Sequence, residues 1–339
     1  MNCQNRCVAT PSTFGMQSED ITFMALDSDF IKWLESRFGD NVKFCEPMSR
    51  HTSLRVGGPA EALVTPENLE DLKALVEWSW NSGLSYLIIG EGTNLLVKDS
   101  GIKGIVIVLT KCPKTIVQTG RKADGLIIAA SASVPMRSLC AYALKQGLEG
   151  MNFALGIPGT VGGGIMMNAG TSHGSMGNVL ESITVLLPTG RTLRIRREQL
   201  DFSYRTLSWN PELTDGYHAQ TIILDGCFRL RLSDSEKLKK EARTILKTRW
   251  KKQPVGWPTA GCFFKNPSSG KTAGQLIEMA GLKGKSIGGA EISSKHANFI
   301  INRHNASAAD FLALMELAEE AVSNRFNIDL KREVKIVGT

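Results

Sequence analysis

The chain has 339 residues, of which 42% are hydrophobic, and its formal net charge is +7. This length is enough for two or three domains of ordinary size, and no apolar run approaches the ~20 residues that a membrane-spanning helix requires. Seven cysteines are scattered along the chain without a C-x-x-C pair, so we expect no metal site, and free thiols in a cytoplasmic protein.

The predicted elements begin after an irregular N-terminal segment. Residues 1–25 are polar and contain no continuous apolar stretch of the kind that a secretory signal needs, so we expect a disordered extension. Helices are predicted over residues 30–38 and 66–82. We expect Thr65 to cap the second helix, because the proline that follows it suits a first helical turn. The predicted buried face of this helix consists of Leu69, Leu72 and Val76.

Strands are predicted at residues 86–89 and 105–109, and a polar turn follows the first of them. The turn contains Gly90, Gly92, Thr93 and Asn94. A strand that runs into such a turn can present its backbone amides to a ligand, because glycine adds no Cβ. Leu95 occupies the position of the third glycine of a dinucleotide-binding fingerprint, so the turn does not match the Rossmann motif.

A second glycine-rich segment, ALGIPGTVGGGIMMNAG, occupies residues 154–170. It follows a predicted strand at 126–130 and a predicted helix at 135–146, whose apolar face includes Cys140. Successive backbone amides in such a loop can bind an anion such as a pyrophosphate. The spacing matches neither common nucleotide-binding fingerprint, and glycine content alone is equally consistent with a turn-rich connection.

A hairpin is predicted next, with strands at 183–187 and 192–195, and a further strand begins at residue 222. A basic helix then covers residues 235–251. The segment 229–252 holds ten Lys or Arg residues and three Asp or Glu residues. A nucleic-acid-binding protein is one hypothesis, but the near absence of aromatic side chains for base stacking favours a solvated basic helix.

The last part of the chain contains two more predicted helices and a terminal strand. The helices cover residues 272–280 and 307–325, and the second opens with a capping box. The box consists of Ser307 and Asp310. The strand, residues 328–337, places four apolar residues on one side: Ile328, Leu330, Val334 and Ile336. Glu333 is therefore expected to point to the other side.

Seven motifs occur in the order found in one enzyme family. Besides the two glycine segments, they are HTSLRVGGPA (51–60), YR (204–205), AGCFFKNP (260–267), HANFIIN (296–302) and REVKIVG (332–338). Over residues 45–338 the chain therefore resembles the UDP-N-acetylenolpyruvoylglucosamine reductases. The resemblance implies reduction of UDP-N-acetylglucosamine enolpyruvate to UDP-N-acetylmuramate in peptidoglycan synthesis. It also implies non-covalently bound FAD, with NADPH as the co-substrate.

The fold implied by the resemblance is α+β. It consists of a FAD-binding fold of the vanillyl-alcohol-oxidase/PCMH type, made of two α+β subdomains, and a C-terminal α/β substrate domain. We place the first subdomain at residues 26–110, with 327–339 returning to it, the second at 111–230 and the substrate domain at 231–326. The expected partners are small molecules, without nucleic acid or membrane, and we expect a monomer.

Three residues match the catalytic positions of the family. Arg205, in YRTLSW, matches an arginine that stabilises the intermediate, although a lone arginine would be interpreted as structural. Glu333 matches a glutamate that assists it. Cys262 stands where many members have the serine that donates a proton, and an ordinary buried cysteine is the alternative interpretation. A thiol with an unperturbed pKa of about 8.5 is mostly protonated at neutral pH, so it could perform this role.

The family pattern assigns cofactor binding to the two glycine segments and to one arginine before them. The residues are Arg55, Gly90, Gly92, Thr93, Asn94, Leu95, Pro158, Gly159, Thr160, Gly162, Gly163, Asn168, Ala169 and Gly170. The expected substrate-binding residues are Tyr204, Lys265 and Asn266, and the last two suit the oxygens of a diphosphate. We expect His173 and His296 to be structural or surface groups.

Two further features separate this chain from related proteins. One subclass of the family carries a tyrosine on a loop that closes over the substrate. Here Tyr217 is the only tyrosine in residues 206–261, so the chain resembles the shorter subclass.

The main alternative function is that of a sugar or lactone oxidase of the same fold superfamily, in which FAD is often attached covalently to a histidine beside the glycine loop. Neither glycine bend contains a histidine, which favours the reductase.

Overall fold

The computed structural model describes residues 26–217 and 220–339, so the predicted extension over 1–25 lies outside the described residues. The helices are α1 (Ser28–Phe38), α2 (Leu69–Asn81), α3 (Met136–Lys145), α4 (Val161–Met166), α5 (Ser235–Lys252), α6 (Ala273–Met279) and α7 (Ala308–Phe326). The strands are β1 (Val42–Pro47), β2 (Pro59–Val64), β3 (Tyr86–Ile89), β4 (Leu95–Val97), β5 (Ile102–Val108), β6 (Ile116–Lys122), β7 (Gly125–Ser131), β8 (Leu148–Glu149), β9 (Gly170–Thr171), β10 (Gly174–Ser175), β11 (Leu180–Leu186), β12 (Thr192–Arg196), β13 (Leu200–Ser203), β14 (Thr206–Trp209), β15 (Ile222–Leu232), β16 (Ser286–Ile287), β17 (Ala290–Ile292), β18 (Ile300–Asn302) and β19 (Lys335–Val337). Within these ranges, none of the helices combines the length and apolar character needed to cross a bilayer.

Four strands in the order β1-β2-β5-β3 form the first sheet. Strands β2, β5 and β3 run parallel, and β1 lies antiparallel at one edge. The central strand β5 is buried along nearly its whole length, as is usual for parallel strands that are covered on both faces. Helices α1 and α2 pack against this sheet, and their buried residues share one core: Phe30, Leu34, Leu72, Leu75 and Val76.

The start of α2 differs from the prediction. The helix begins at Leu69, and Asn68 caps it by accepting a hydrogen bond from Asp71 N at 2.8 Å. Thr65 is therefore not the cap, and Leu69 is 40% exposed instead of buried. Both errors have one cause: two residues with cap-forming side chains lie three positions apart, and the chain uses the later one.

The second sheet is antiparallel and has the order β12-β11-β15-β7-β6, with β8 also paired to β15. Strands β11 and β12 confirm the predicted hairpin. Strand β15 extends over Ile222–Leu232, well beyond its predicted start, and pairs with three other strands. Helices α3 and α4 contribute to the core against this sheet, where Cys140 is buried as predicted, together with Ile165 and Phe228.

The third core is formed by α6, α7 and the small sheet β16-β17-β18. Helix α7 opens with the predicted capping box, in which Ser307 Oγ accepts from Asp310 N and the Asp310 carboxylate accepts from Ser307 N. Asp99, which follows β4, accepts two further hydrogen bonds, from Ala308 N at 2.8 Å and Ala309 N at 3.0 Å. These carboxylates satisfy amides at the start of α7 that have no partner within the helix.

The C-terminal segment is a strand only at β19, which pairs in parallel with β4. The predicted strand is therefore wrong over residues 328–334. Its four apolar residues nevertheless join the third core, as the alternation indicated: Ile328, Leu330, Val334 and Ile336. The backbone just before β19 instead bonds to a different segment, since Glu333 N donates to Phe263 O at 2.7 Å.

The cysteines of the described ranges fall into two groups. Cys112, Cys140, Cys227 and Cys262 are free thiols, as expected. Cys45 is disulfide-bonded, so the expectation of free thiols is wrong at this position. The error is understandable, because spacing along the chain does not tell which cysteines meet in the fold.

Candidate active site

The two glycine segments lie against each other. A Cβ at Gly90 would overlap the side chain of Thr160, and a Cβ at Gly159 would lie 2.7 Å from Thr93 Oγ1. Neither position therefore has room for a residue larger than glycine. The approach of the first bend to the second loop therefore explains why glycine stands at these two positions.

Backbone amides in this region can donate hydrogen bonds to an anionic oxygen. Gly159 N donates to the carboxylate oxygen Oε2 of Glu91 at 3.2 Å. Thr160 caps α4, and its hydroxyl accepts from Gly163 N at 3.4 Å. A Cβ at Gly163 would meet nothing closer than 3.6 Å, so the backbone is open on that side. Glycine amides and the start of a helix suit the phosphates of a dinucleotide cofactor.

The turn that carries Arg55 borders the first bend. Ser53 N donates to Gly92 O at 3.1 Å, and a Cβ at Gly92 (φ +60°) would overlap His51 O. Arg55 is exposed and has a left-handed backbone with φ +56°. The buried side chain of Asn302 supports the turn, since its Nδ2 donates to Leu54 O at 3.0 Å. The side chain of Arg55 is therefore presented from a backbone fixed on both sides.

The end of the second loop is tied to the hairpin of β13 and β14. Asn168 (φ +40°) donates from Nδ2 to Ser203 O at 2.8 Å, and its Oδ1 accepts from Gly177 N at 3.0 Å. Ala169 N donates to Gly164 O, and Gly170 begins β9. The three remaining residues assigned to the cofactor have different surroundings. Leu95 opens β4, Pro158 is exposed, and a Cβ at Gly162 would lie 2.7 Å from that of Ala132.

Arg205 and Glu333 form an ion pair. Arg205 Nε lies 2.6 Å from Glu333 Oε1, and the two side chains are only 20% and 13% exposed. The guanidinium also lies over the ring of Tyr204, 4.9 Å from its centre. Arg205 has φ +60° in the tight turn between β13 and β14. Such backbone strain in a residue other than glycine costs about 1–3 kcal/mol and is found mostly at functional sites.

Glu333 connects this pair to two other segments. Its carbonyl oxygen accepts from Asn94 Nδ2 at 3.2 Å, which links it to the first glycine bend. Burial raises the pKa of the Glu333 carboxyl, while the charges of Arg205 and Lys265 oppose that shift. The prediction that this side chain points away from the apolar residues of the segment is compatible with its position in the ion pair.

Cys262 lies beside this ion pair and is partly exposed. Burial, and then the charge of Glu333, raise the pKa of its thiol to about 12, whereas Arg205 and Arg249 oppose the rise. The three residues assigned to catalysis from widely separated motifs are thus close enough for their charges to interact. A thiol with this pKa is fully protonated at neutral pH.

Asn298 holds the segment that carries Cys262, and we did not assign it a role from the sequence. This buried residue accepts from Phe264 N at 2.9 Å and donates to Phe264 O at 2.8 Å through its side-chain amide. Phe263 N donates to Asn298 O at 2.9 Å. The side-chain amide of Asn298 therefore makes the two hydrogen bonds to the Phe264 backbone that a neighbouring strand would otherwise make. Its presence in the HANFIIN motif was the available signal, although nothing local indicated which backbone it would bind.

The residues assigned to the substrate lie near one another. Tyr204 is 48% exposed, and Asn266 N donates to its hydroxyl at 3.5 Å. Asn266 Oδ1 accepts from Ala273 N at 3.1 Å, so its oxygen is used within the protein. The charge of Lys265 reaches Glu333. An ammonium group and an amide are thus available on the same side of the site as the ion pair.

The histidines occupy other surroundings. Nδ1 of His296 accepts from Asn298 N at 3.2 Å, which is a structural contact. His173 is exposed and lines a cavity of about 1030 Å³ together with Arg197 and Arg229, and no residue assigned to the site borders it. Across 26–217 and 220–339, the side chains of His, Cys, Asp and Glu form no cluster that could hold a metal ion.

Two family models match the chain. The model described as "FAD binding domain" matches residues 60–196, and the model described as "UDP-N-acetylenolpyruvoylglucosamine reductase, C-terminal domain" matches residues 253–337. The reductase of that name from Desulfosudis oleivorans is 44% identical over 313 residues, which cover 92% of this chain and all of the relative. The chain belongs to the UDP-N-acetylenolpyruvoylglucosamine reductase family.

Further similarities agree with membership of the reductase family. A Clostridium botulinum reductase of the same name is 42% identical over 311 residues, covering 91% of this chain and 97% of the relative. The crystal structure of the Thermus caldophilus reductase matches with a TM-score of 0.69 and 33% identity, covering 86% of this chain and 97% of that one. The predicted family, the α+β FAD-binding fold, and the oxidoreductase class with FAD and NADPH are thereby confirmed.

Proposed function

We propose that this member of the reductase family converts UDP-N-acetylglucosamine enolpyruvate to UDP-N-acetylmuramate with NADPH, as part of peptidoglycan synthesis. The observation that carries the proposal is the meeting of the Arg205–Glu333 ion pair, at 2.6 Å, with the Cys262 thiol beside the first glycine bend. A cation, a carboxylate and a protonated donor are the groups that reduction of an unsaturated carboxylic acid requires.

Arg205, Glu333 and Cys262 each have a separate role in the proposed reaction. The two glycine segments and the Arg55 turn would hold FAD, which would supply to the β carbon of the enolpyruvyl group a hydride that originates from NADPH. Negative charge then develops on the α carbon and its carboxylate, and Arg205 stabilises it while Glu333 fixes the guanidinium. Cys262 transfers its thiol proton to the α carbon, and the resulting thiolate is reprotonated from solvent. The net result is one hydride and one proton added across the double bond.

The residues proposed to hold FAD are those of the two glycine segments and the Arg55 turn. Gly90, Gly159 and Thr160 bring the bend and the loop together, and the loop amides suit the pyrophosphate. We propose non-covalent attachment, because neither bend offers a histidine. Acid precipitation of the yellow protein should leave the flavin in the supernatant. Flavin that pellets with the protein would instead favour the oxidase alternative.

The residues proposed to bind the substrate are Tyr204, Lys265 and Asn266. The Lys265 ammonium and the Asn266 amide nitrogen can both donate to diphosphate oxygens. The oxygen of Asn266 already accepts from Ala273 N, which leaves the nitrogen as the group that faces a ligand. Tyr204 borders them with an exposed ring.

The experiment that tests the function is an anaerobic half-reaction. NADPH should bleach the flavin of the purified holoenzyme, and UDP-N-acetylglucosamine enolpyruvate should then restore its visible absorbance with one equivalent of UDP-N-acetylmuramate formed. UDP-N-acetylglucosamine, which lacks the double bond, is the matched control and should leave the flavin reduced. If the enolpyruvate substrate also left it reduced, the proposal would be wrong.

The remaining proposals concern the organisation of the protein. We propose a cytoplasmic monomer that binds neither nucleic acid nor membrane. Its domains would be residues 26–110 with 327–339, 111–230 and 231–326; the pairing of β19 with β4 supports the return of the C-terminal segment to the first domain, although apolar residues of that segment also pack in the third core. Light scattering should give a mass near 36.9 kDa, and limited proteolysis should cut near the proposed boundaries. A dimer mass, or cuts within the sheets, would contradict these proposals.

A further inference from the structure

The short segment 262–265 carries two residues that we assign to the reaction, and its backbone adjoins a third. Cys262 is its first residue, and Lys265 is its last. Phe263 O accepts from Glu333 N at 2.7 Å, so the backbone of this segment lies directly against that of the acid. A displacement of the segment would therefore move the proton donor relative to the ion pair of Glu333.

The segment is held by isolated contacts and not by a regular strand ladder. One bridge joins Cys262 to Phe299, and another joins Phe264 to Arg332. Phe264 is buried, with 1% of its surface exposed. Its backbone amide and carbonyl therefore need partners within the protein, because a buried polar group without a hydrogen bond is costly.

Both partners come from the side chain of Asn298. Its Oδ1 accepts from Phe264 N at 2.9 Å, and its Nδ2 donates to Phe264 O at 2.8 Å. The backbone of the same residue contributes a third bond, because Phe263 N donates to Asn298 O at 2.9 Å. A carboxamide offers a donor and an acceptor side by side, as a neighbouring strand does, whereas an ionised carboxylate only accepts. The fit of Asn298 to this backbone is therefore specific to an amide.

Asn298 is itself fixed from two sides. Asn298 N donates to Nδ1 of His296 at 3.2 Å, and the residue is only 3% exposed. Helix α6 packs against it, since a Cβ at Gly274 would lie 3.5 Å from Asn298 Cβ. The support is therefore rigid, and the segment that carries Cys262 takes its position from it.

We propose that Asn298 is a positioning residue for the protonation step, an inference that rests on the proposed function. By holding the Phe264 backbone, it sets the direction from which the Cys262 thiol approaches the α carbon of the substrate. Asn298 does not donate the proton itself, and its effect passes along two residues of backbone. A donor must lie within hydrogen-bonding reach of the reacting atom, and a misplacement of about 1 Å can slow a reaction by roughly 10²-fold.

Asn298→Asp tests the role of the amide, because it keeps the acceptor and replaces the donor. An ionised carboxylate repels Phe264 O, whereas a protonated acid can donate to it, and burial raises the pKa of the introduced carboxyl. Reoxidation of the NADPH-reduced holoenzyme by UDP-N-acetylglucosamine enolpyruvate is followed by stopped-flow absorbance over a range of pH. We expect the ratio of the variant rate to the wild-type rate to fall as the pH rises, with a loss of roughly 10- to 100-fold at alkaline pH.

Other titratable groups lie on the elements around this side chain: Lys252, Cys262, Lys265, Glu278, Lys283, His296 and Glu333. The wild type contains all of them, so the ratio of the two rates removes the effect of their titration. Asn81→Asp, on the exposed surface of α2, is the matched control, and its rate should equal that of the wild type at every pH. The FAD content of Asn298→Asp and its rate of flavin reduction by NADPH should be unchanged.

A second background shows whether Asn298 acts through the thiol. Cys262→Ala lacks the donor, so no thiol remains for Asn298 to position. Adding Asn298→Asp to this variant should slow reoxidation by less than about 3-fold, which makes the two substitutions non-additive. If Asn298→Asp loses FAD at alkaline pH, Asn298→Ser serves in the same two backgrounds at neutral pH, because its short hydroxyl cannot bond to both backbone groups. The same dependence on the thiol is then expected.

Three results would overturn the inference. The first is an equal slowing with and without the thiol, which would show that Asn298 does not act through Cys262. The second is a rate ratio that does not change with pH, which would show that the amide donor is not needed. The third is a slowing of flavin reduction by the same factor as reoxidation, which would indicate a general disturbance of the fold. A wild-type protein whose reduced flavin is not reoxidised by the enolpyruvate substrate would instead refute the proposed function itself.

Discussion

Cys262 is the residue on which the proposed protonation step depends, and its surroundings keep the proton on the sulfur. Although the Cys262 side chain is partly exposed, desolvation of the thiol and the charge of Glu333 raise its pKa to about 12 despite the charges of Arg205 and Arg249. Water at neutral pH therefore does not remove this proton. The strongly basic α carbon that forms after hydride addition can remove it, which confines proton transfer to the moment when it is needed.

Substitution of Cys262 should separate the two half-reactions. Cys262→Ala removes the donor, so we expect reoxidation of the reduced flavin by substrate to slow by roughly 10²-fold or more, the usual contribution of a general acid. Reduction by NADPH should be unaffected. Cys262→Ser keeps a donor and should turn over. Stopped-flow absorbance measures both steps, and full-speed reoxidation in the alanine variant would remove Cys262 from the mechanism.

The raised thiol pKa also predicts how the rate responds to alkali. An ordinary thiol would lose its proton near pH 9.0, but the folded protein shifts this loss to about 12. Because the thiol stays protonated through pH 9.0, the reoxidation rate should not fall there, and the wild type and Cys262→Ser should have the same alkaline profile. By linkage, the fold should lose stability from pH 9.0 upward, where the unfolded thiol ionises first. A wild-type rate that falls with a midpoint near pH 9.0 would contradict the assignment.

At the scale of elements, the turn that follows β3 meets the segment that precedes α4 at two glycines, Gly90 and Gly159. Gly90→Ala would push a methyl group into Thr160, the cap of α4, and should separate the bend from the loop. We expect weaker retention of FAD, measured as the flavin-to-protein ratio after gel filtration. Gly120→Ala on β6 is the control, because its Cβ would meet nothing closer than 3.5 Å. Normal FAD content in the Gly90 variant would show that the contact is not needed.

The elements also show which features could be predicted from the sequence. Capping residues and glycine stops act within a few positions, so six of the seven helices and the Ser307–Asp310 box were foreseeable, whereas α4 lies inside the segment that was interpreted as a glycine loop. The contacts of Asn298 and Arg249 were not foreseeable, because their partners Phe264 and Gly156 lie far away in sequence. Catalytic roles could be assigned to residues of the motifs only through the resemblance to the reductase family. Periodicity placed Glu333 opposite the apolar side chains, which is compatible with its position in the ion pair, but it did not predict that its backbone pairs with Phe263 and does not continue a strand.

At the scale of the whole molecule, Asp99 fastens the first sheet region to the third core. Its carboxylate accepts from Ala308 N and Ala309 N, at the start of the long helix α7. Asp99→Ala should lower the free energy of unfolding by about 1–2 kcal/mol, as expected for loss of a helix cap with its favourable charge. Urea unfolding measures this, with the exposed Asp40→Ala as the control. Equal stability of both variants would show that the contact contributes little.

The pairing of β19 with β4 determines when, during synthesis and folding of the chain, the site becomes complete. Lys335 pairs with Leu95, and Glu333 stands just two residues earlier, so a segment that is translated long after both glycine bends completes the site. A ribosome-bound nascent chain can already have both glycine bends while it still lacks the acid that orients Arg205. The site is therefore complete only after β19 has paired with β4, so folding of the two glycine bends by themselves does not give a protein that is competent for reduction.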